Sequence, residues 1–398
     1  MTITTQTPAG GIPAVTWTDP KRRLWLLGLV IPLLPFMAWG LVGLTGLGIF
    51  WWTGPLLVFG LIPLLDRAGG LDLSNPPVEA EAQLEADHYY RWCTYLFLPL
   101  QLASFVVGGW LVTRGGLSWV DSLGLTVTVG FVAGIGIANA HELGHKKERS
   151  ERRLARVVLA QSAYGHFYVE HNRGHHARVA TPEDPASARL GETFWEFLPR
   201  SVIGSLRSAW GLEANRLRNQ DRRVFSHHND VLTAWSMTVV LALAMIAAFG
   251  IGVLPYLVIQ AVLGFCLLEI VNYVEHYGLL RQRTDNGRYE RCRPEHSWNS
   301  NHVASNVLLY HLERHSDHHA HPTRRYQMLR HFDDSPQLPT GYAGMIALAA
   351  VPPLWRRVMD PKVLDHFDGD VTRANIQPRC RDRYLARYPA ERRVAEQD

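Results

Sequence analysis

The chain has 398 residues, enough for one large domain or two or three small ones, and 47% of them are hydrophobic. Its four cysteines, Cys93, Cys266, Cys292 and Cys380, are scattered with no Cys-x-x-Cys pair, which excludes a disulfide framework and an iron–sulfur or iron–thiolate module on this chain. The net charge of +4 is modest and no Gly-x-Gly-x-x-Gly loop occurs, so nothing points to nucleotide or nucleic-acid binding.

Taken in order, residues 1–23 form a polar N-terminal segment, of which 1–20 lack the apolar core of a signal peptide and read as disordered. The 24–140 part is expected to hold four membrane-spanning helices, about 24–44, 47–65, 92–112 and 117–140, each near the length that crosses a bilayer. Only Arg114, Gly115 and Gly116 separate the third from the fourth. Residues 141–230 are too polar to span. Within them, 154–168 and 200–217 read as helices lying along the membrane surface. An apolar hairpin at 231–275 supplies a fifth span, 231–249, and a sixth that ends near 273. From 276–398 the chain is polar again, and 340–398 carries nothing interpretable.

Positive charge sets the orientation. Of the 40 Lys and Arg residues, Arg114 alone falls in an outer loop and none lies within a span. The positive-inside rule then places both termini in the cytoplasm, together with everything between the fourth and fifth spans and after the sixth.

Four histidine blocks fall on that side. They are His141 with His145; His171 with His175 and His176; His276; and His315 with His318 and His319. On a helix, residues four apart differ by about 40° in rotation, so each i, i+4 pair can aim two imidazoles at one metal. His315, His318 and His319 make an i, i+3, i+4 set, whereas His175 and His176 diverge by about 100° and suit different metals. Imidazole suits Fe, Zn, Cu or Ni. Nine such ligands exceed what one ion takes, so two metals are expected. The fold class expected is an all-α membrane protein: six transmembrane helices with a cytoplasmic helical cap that holds a nine-histidine, two-metal site.

Supporting residues follow from position. Glu142, Glu170, Glu275 and Asp317 each neighbour a block histidine and are candidates to orient imidazoles through N–H···carboxylate bonds. Glu269 is a carboxylate inside the sixth span, on the His276 face, with Asn272 between them in rotation. The fourth span carries small residues, among them Gly134 and Ala138, that either pack helices closely or leave a slot for an extended chain. Trp51 and Trp52 open the second span, either as interfacial belt residues or as a stop at the far end of that slot. Lys146, Lys147, Arg149, Arg152, Arg153, Arg324 and Arg325 flank the blocks and could attract an acidic partner or the inner leaflet.

The wording around the histidines is specific. His-Glu-Leu-Gly-His-Lys at 141–146, Glu-His-Asn-Arg-Gly-His-His at 170–176, Asn-Tyr-Val-Glu-His-Tyr-Gly at 272–278 and Leu-Glu-Arg-His-Ser-Asp-His-His-Ala-His-Pro at 312–322 resemble the integral-membrane alkane 1-monooxygenases, within the histidine-box membrane desaturase and hydroxylase superfamily. The resemblance implies a non-haem diiron enzyme of the bacterial inner membrane. It would hydroxylate the terminal carbon of medium-chain n-alkanes with dioxygen, taking electrons from rubredoxin, itself reduced by an NADH-dependent rubredoxin reductase. It also implies that all nine histidines are iron ligands. A membrane fatty-acyl desaturase or hydroxylase fits the looser histidine pattern. A divalent-metal transporter is the non-enzyme alternative, although transporters hold their ligands at mid-membrane.

Overall fold

The computed structural model describes residues 4–6 and 14–389. The expectation of disorder at 1–20 falls partly on 1–3 and 7–13, which lie outside the described residues, as do 390–398 of the tail. Thr4–Gln6 pairs antiparallel with Ala14–Thr16, the one sheet among the described residues. The rest is helix and loop.

Six helices are long and apolar enough to cross a membrane, and the chain is a multi-pass membrane protein. They are Leu24–Thr45, Gly48–Gly69, His88–Thr113, Trp119–Gly144, Asp230–Phe249 and Ile251–His276. Their ends follow from local chemistry. Gly46, at φ 71°, closes the first span, a left-handed position that glycine takes without a Cβ penalty. Ser118 caps the fourth span by accepting from the Asp121 N–H at 3.1 Å. Asn229 caps the fifth by accepting from the N–H groups of Val231 and Leu232.

The fourth span is the hub. Of its most apolar window 83% is buried inside the protein, against 17% for the fifth span, which faces outward. Its glycines allow close approach. A Cβ at Gly130 would lie 2.8 Å from Leu263, one at Gly134 the same distance from Leu267, and one at Gly136 2.4 Å from Gln101. The small residues therefore serve helix packing first, bringing the fourth and sixth spans together. That contact sets their C-terminal ends, with His141 and His276, side by side.

The polar segments fold over those ends. The Arg149–Gln161 helix turns back on the fourth span and buries Ala155, Val158 and Leu159 against Ile137, Ala140 and Leu143. The helix expected after Pro199 begins earlier, at Phe194, because Thr193 and Glu196 form a reciprocal capping box. Asp66, at the end of the second span, is buried and accepts from the Ser305 N–H at 2.9 Å, tying the membrane part to the Val303–Leu308 helix.

The reading of 340–398 as uninterpretable is corrected. Helices Tyr342–Ala349, Pro352–His366 and Arg381–Arg387 complete a core with Tyr273, Tyr277 and Trp298. Trp355, Met359 and Val363 are fully buried there. Their partners sit about 80 residues earlier on the sixth span, so the tail's apolar pattern has meaning only once that helix is in place.

Candidate metal centre

All nine block histidines converge at the joined ends of the fourth and sixth spans. They form two groups, His141, His145, His171, His176 and His318 in one, and His175, His276, His315 and His319 in the other. Within each group one ring nitrogen per residue lies within 4.8 Å of all the others. That spread matches ligands set about 2.1 Å from a shared ion.

The partition departs from simple helical spacing at two blocks. His171–His175 is a π-helical turn, in which the His176 N–H bonds the His171 carbonyl. The wider turn puts residues five apart on one face, so His171 and His176 meet, Nε2 to Nε2, at 3.1 Å. The expected His171/His175 pair is thereby split, and His175 goes to the other group. In the fourth block His315 and His319 stay together, while His318, about 100° from His319 on the His315–Ala320 helix, joins the first group.

The donor set fits metal ions. Nε2 atoms face one another at 3.3 Å between His315 and His276, at 2.9 Å between His319 and His315, and at 3.1 Å between His318 and His176. Two lone pairs at that distance repel unless a proton or a cation lies between them. Burial works against the proton: burial first, then the neighbouring imidazoles, holds His145, His171, His176, His315, His318 and His319 well below the usual histidine range. The Nε2 atoms of His141, His145 and His175 are buried with no hydrogen-bond partner among the described residues. Buried orphaned donors of this kind are the signature of a coordination site. The two groups could each hold a metal ion.

The carboxylates divide by what they touch. Glu275 places Oε2 3.2 Å from His315 Nε2 and accepts from the Tyr342 hydroxyl at 2.8 Å through Oε1. Glu142 accepts instead from Lys146 Nζ at 3.0 Å and the Tyr326 N–H at 3.2 Å, which ties the 320s loop to the fourth span. Asp317 takes Arg324 through both oxygens and also His321 and the Arg330 N–H, bracing its helix from outside. Glu170 pairs with Arg178 at 2.7 Å, and burial pushes it up to about 7. Glu269 accepts from the Tyr164 hydroxyl at 2.7 Å and bonds none of the block histidines, while Asn272 lines the cavity described below.

One carboxylate escaped the sequence reading. Asp184 Oδ2 lies 2.9 Å from His175 Nδ1 and also accepts from the Ser187 hydroxyl. Burial pushes it up, but the His175 interactions and the Ser187 bond outweigh that and bring it down to about 2. It stands eight residues beyond His176 in a Thr-Pro-Glu-Asp-Pro loop, so spacing offered no signal.

An apolar slot leads away from the histidines. His141, His171 and His315 stand at one end; Gly134, Ala138 and Leu267 line the middle; Phe131, Val58 and Ile62 close the far side. Its free volume, about 70 Å³, makes it a narrow slot. The expectation that Trp51 or Trp52 ends it is corrected. Trp51 is buried among Ala38, Phe105, Leu125 and Val129, and Trp52 packs against Gly124, so neither touches the slot.

Three of the flanking cations are also corrected. Lys146 is buried on Glu142; Arg324 is held by Asp317; Arg325 is buried between Glu85, Glu148 and Glu151 at 3.1–3.2 Å. None is free to meet a partner. Lys147, Arg149 and Arg153 are exposed and Arg152 is half-buried. Arg149, Arg152 and Arg153, with Arg156 and Arg173, line a polar cleft of about 500 Å³ that reaches His145.

Comparison with known proteins is consistent with this arrangement. The fatty acid desaturase family matches residues 117–349, the stretch that carries all nine histidines. The chain is 45% identical to the alkane 1-monooxygenase of Ectopseudomonas oleovorans over 375 residues, 94% of each chain. It is 45% identical to alkane 1-monooxygenase 1 of Alcanivorax borkumensis over 386 residues, 97% of this chain and 96% of that one. To the xylene/toluene monooxygenase hydroxylase component of Pseudomonas putida it is 25% identical over 335 residues, 82% of this chain and 86% of that one.

Proposed function

This chain belongs to the alkane 1-monooxygenase family, and on that premise we propose that it hydroxylates the terminal carbon of medium-chain n-alkanes at a two-iron centre held by its nine histidines. The reaction balances as RH + O₂ + 2 e⁻ + 2 H⁺ → ROH + H₂O. The observation that carries the reading is the junction of an apolar slot with the histidine groups: His141, His171 and His315 belong to both.

Iron bound there supplies the dioxygen activation that oxygen insertion into an unactivated C–H bond needs. The chain's own residues supply the rest. Burial keeps the imidazoles neutral, so their lone pairs are available to metal rather than to protons. Asp184 fixes the ring of His175 through Nδ1, leaving Nε2 free to ligate. The Tyr342 hydroxyl holds Glu275 against His315. A substrate with no polar group is oriented by shape alone. The slot walls admit one extended chain, aim its methyl end at the histidines and keep water out. The substrate arrives from lipid, where burial of about 0.8 kcal/mol per CH₂ is already gained, so slot length and width decide selectivity.

The electron donor in this proposal is rubredoxin, reduced by an NADH-dependent reductase. The basic cleft at Arg149, Arg152 and Arg153 supports an acidic donor, because it reaches the ligand candidate His145 directly. The membrane in the proposal is the bacterial inner membrane, with the metal end in the cytoplasm. Arg114, the one cation expected outside, caps the third span over Trp110.

The test is metal analysis of the purified protein together with product analysis under ¹⁸O₂. Two irons per chain and 1-octanol carrying one ¹⁸O from octane are expected. Zinc in place of iron, or turnover of an acyl thioester with none of octane, rejects the proposal.

A further inference from the structure

A second polar site lies at the same end of the molecule, away from the histidines. The cleft between the Pro352–His366 and Arg381–Arg387 helices is lined by Arg356, Arg357, Arg383 and Arg387, with Tyr388 and Asp360, and has a volume of about 390 Å³. Its one carboxylate is already engaged: Asp360 is buried and accepts from the hydroxyls of Tyr277 at 2.8 Å and Tyr384 at 2.5 Å. Among the described residues no carboxylate comes within ion-pair distance of any of the four guanidiniums. Arg356 donates to the Gly191 carbonyl, yet its Nε is buried without a partner. Four like charges around one cleft repel, and an anion there relieves that repulsion.

The rim says which anion. Trp195, Val351 and Leu354 stand exposed beside the cleft, and the Trp195 indole N–H donates to the Ala350 carbonyl at 3.1 Å, joining the start of the Phe194–Arg218 helix to the start of the Pro352–His366 helix. Trp195, Pro199, Ile203 and Leu206 form one exposed stripe along the first of these helices. An apolar stripe on a helix outside the spans, opened by a tryptophan, is the pattern of a helix lying in the membrane interface. The arginine cleft therefore sits at headgroup depth.

We propose that this cleft binds the phosphate of an acidic phospholipid headgroup while Trp195, Val351 and Leu354 enter the acyl region. Guanidinium forks match phosphate oxygens in pairs, and basic pockets at membrane depth select anionic headgroups. A zwitterionic lipid brings its own cation toward four arginines and is disfavoured. Free phosphate offers the same oxygens but nothing for the apolar rim.

The experiment uses the full chain in detergent, titrated with phosphatidylglycerol, phosphatidylcholine and inorganic phosphate, with bound lipid read by native mass spectrometry. Wild type is expected to retain phosphatidylglycerol over phosphatidylcholine. The triple variant Arg357→Gln, Arg383→Gln, Arg387→Gln, all at exposed positions, loses that preference, by roughly fivefold in affinity per arginine. Metal content and helicity stay unchanged, which shows that the variant is folded; should it not fold, Arg357→Gln alone carries the comparison. Equal phosphatidylglycerol retention by wild type and variant overturns the proposal. So does displacement of the lipid by an equal concentration of inorganic phosphate, which assigns the cleft to a soluble anion.

Discussion

His171 and His176 touch Nε2 to Nε2 at 3.1 Å across one π-turn, while His175, between them in the chain, faces the other group. One extra residue in that turn is what lets a single short segment serve two metal positions. Inserting one alanine after Asn172 sets His171 and His176 six apart, about 240° in rotation on an ordinary helix, and turns His176 away from its group. The insertion variant is expected to bind about one metal instead of two, read as metal per chain in a protein whose helicity is unchanged. Retention of two metals would show that the π-turn is incidental.

Asp184 offers a milder test of the same site. Asp184→Asn keeps the shape but removes the charge that orients His175 through Nδ1. A 10- to 100-fold loss of metal affinity in one of the two positions is the expected size for losing such a partner. A competitive chelator titration measures it, and two unchanged affinities would mean that Asp184 only shapes its own loop.

Charge reversal separates interior from docking arginines. Arg325→Glu leaves Glu85, Glu148 and Glu151 around a new buried carboxylate, and breaking such a pair costs about 3–5 kcal/mol. Its melting temperature should fall, and activity with an artificial reductant should fall with it. Arg149→Glu and Arg153→Glu, at exposed positions, should leave stability alone and raise the rubredoxin concentration for half-maximal turnover. The docking assignment is lost if that concentration does not move.

In the proposed reaction, chain length is set where the slot ends. Phe131 stands ten residues before His141, about 15 Å along the helix. An extended chain advances about 1.3 Å per carbon, from ~1.5 Å bonds, so that distance equals roughly ten carbons; with about 70 Å³ free, the slot takes such a chain only as its walls part. Phe131→Ala should extend the product profile toward longer alkanes, and Val58→Phe should shorten it. Trp51→Ser should instead lower stability by about 3–5 kcal/mol without shifting the profile, since Trp51 is core. Competition among octane, dodecane and hexadecane decides; a shift in Trp51→Ser with none in Phe131→Ala reverses the assignment.

Acid should destabilise the metal-free protein. His145, His171, His176, His315, His318 and His319 have folded values held below 6.5, chiefly by burial. At neutral pH folded and unfolded forms are both unprotonated, so nothing is lost. Below about 6.5 the unfolded chain takes up protons that the folded one refuses, and stability falls with pH. The melting temperature of chelator-treated protein should therefore drop between pH 7 and 5. A flat profile would mean that those rings are hydrated in the apo form.

The six spans were legible in the sequence because a bilayer demands about 20 consecutive apolar residues, a one-dimensional property. The histidines were legible for a similar reason: ligand pairs one helical turn apart leave a fixed spacing, and three such blocks stand out, with His276 marked by the Asn-Tyr-Val-Glu-His-Tyr-Gly wording around it. The assignment of each histidine to a group was not, because a π-turn and an α-turn read alike until the backbone is seen. Contacts between distant segments were equally silent. Asp184 on His175, Tyr342 on Glu275 and the burial of Arg325 all join residues whose proximity depends on how loops close over the span ends. The end of the slot belongs with these. Trp51 stands near the start of the second span and Phe131 at the middle of the fourth, and only the packing of these spans at Gly54, where a Cβ would strike Thr128 and Phe131, decides which aromatic meets the slot.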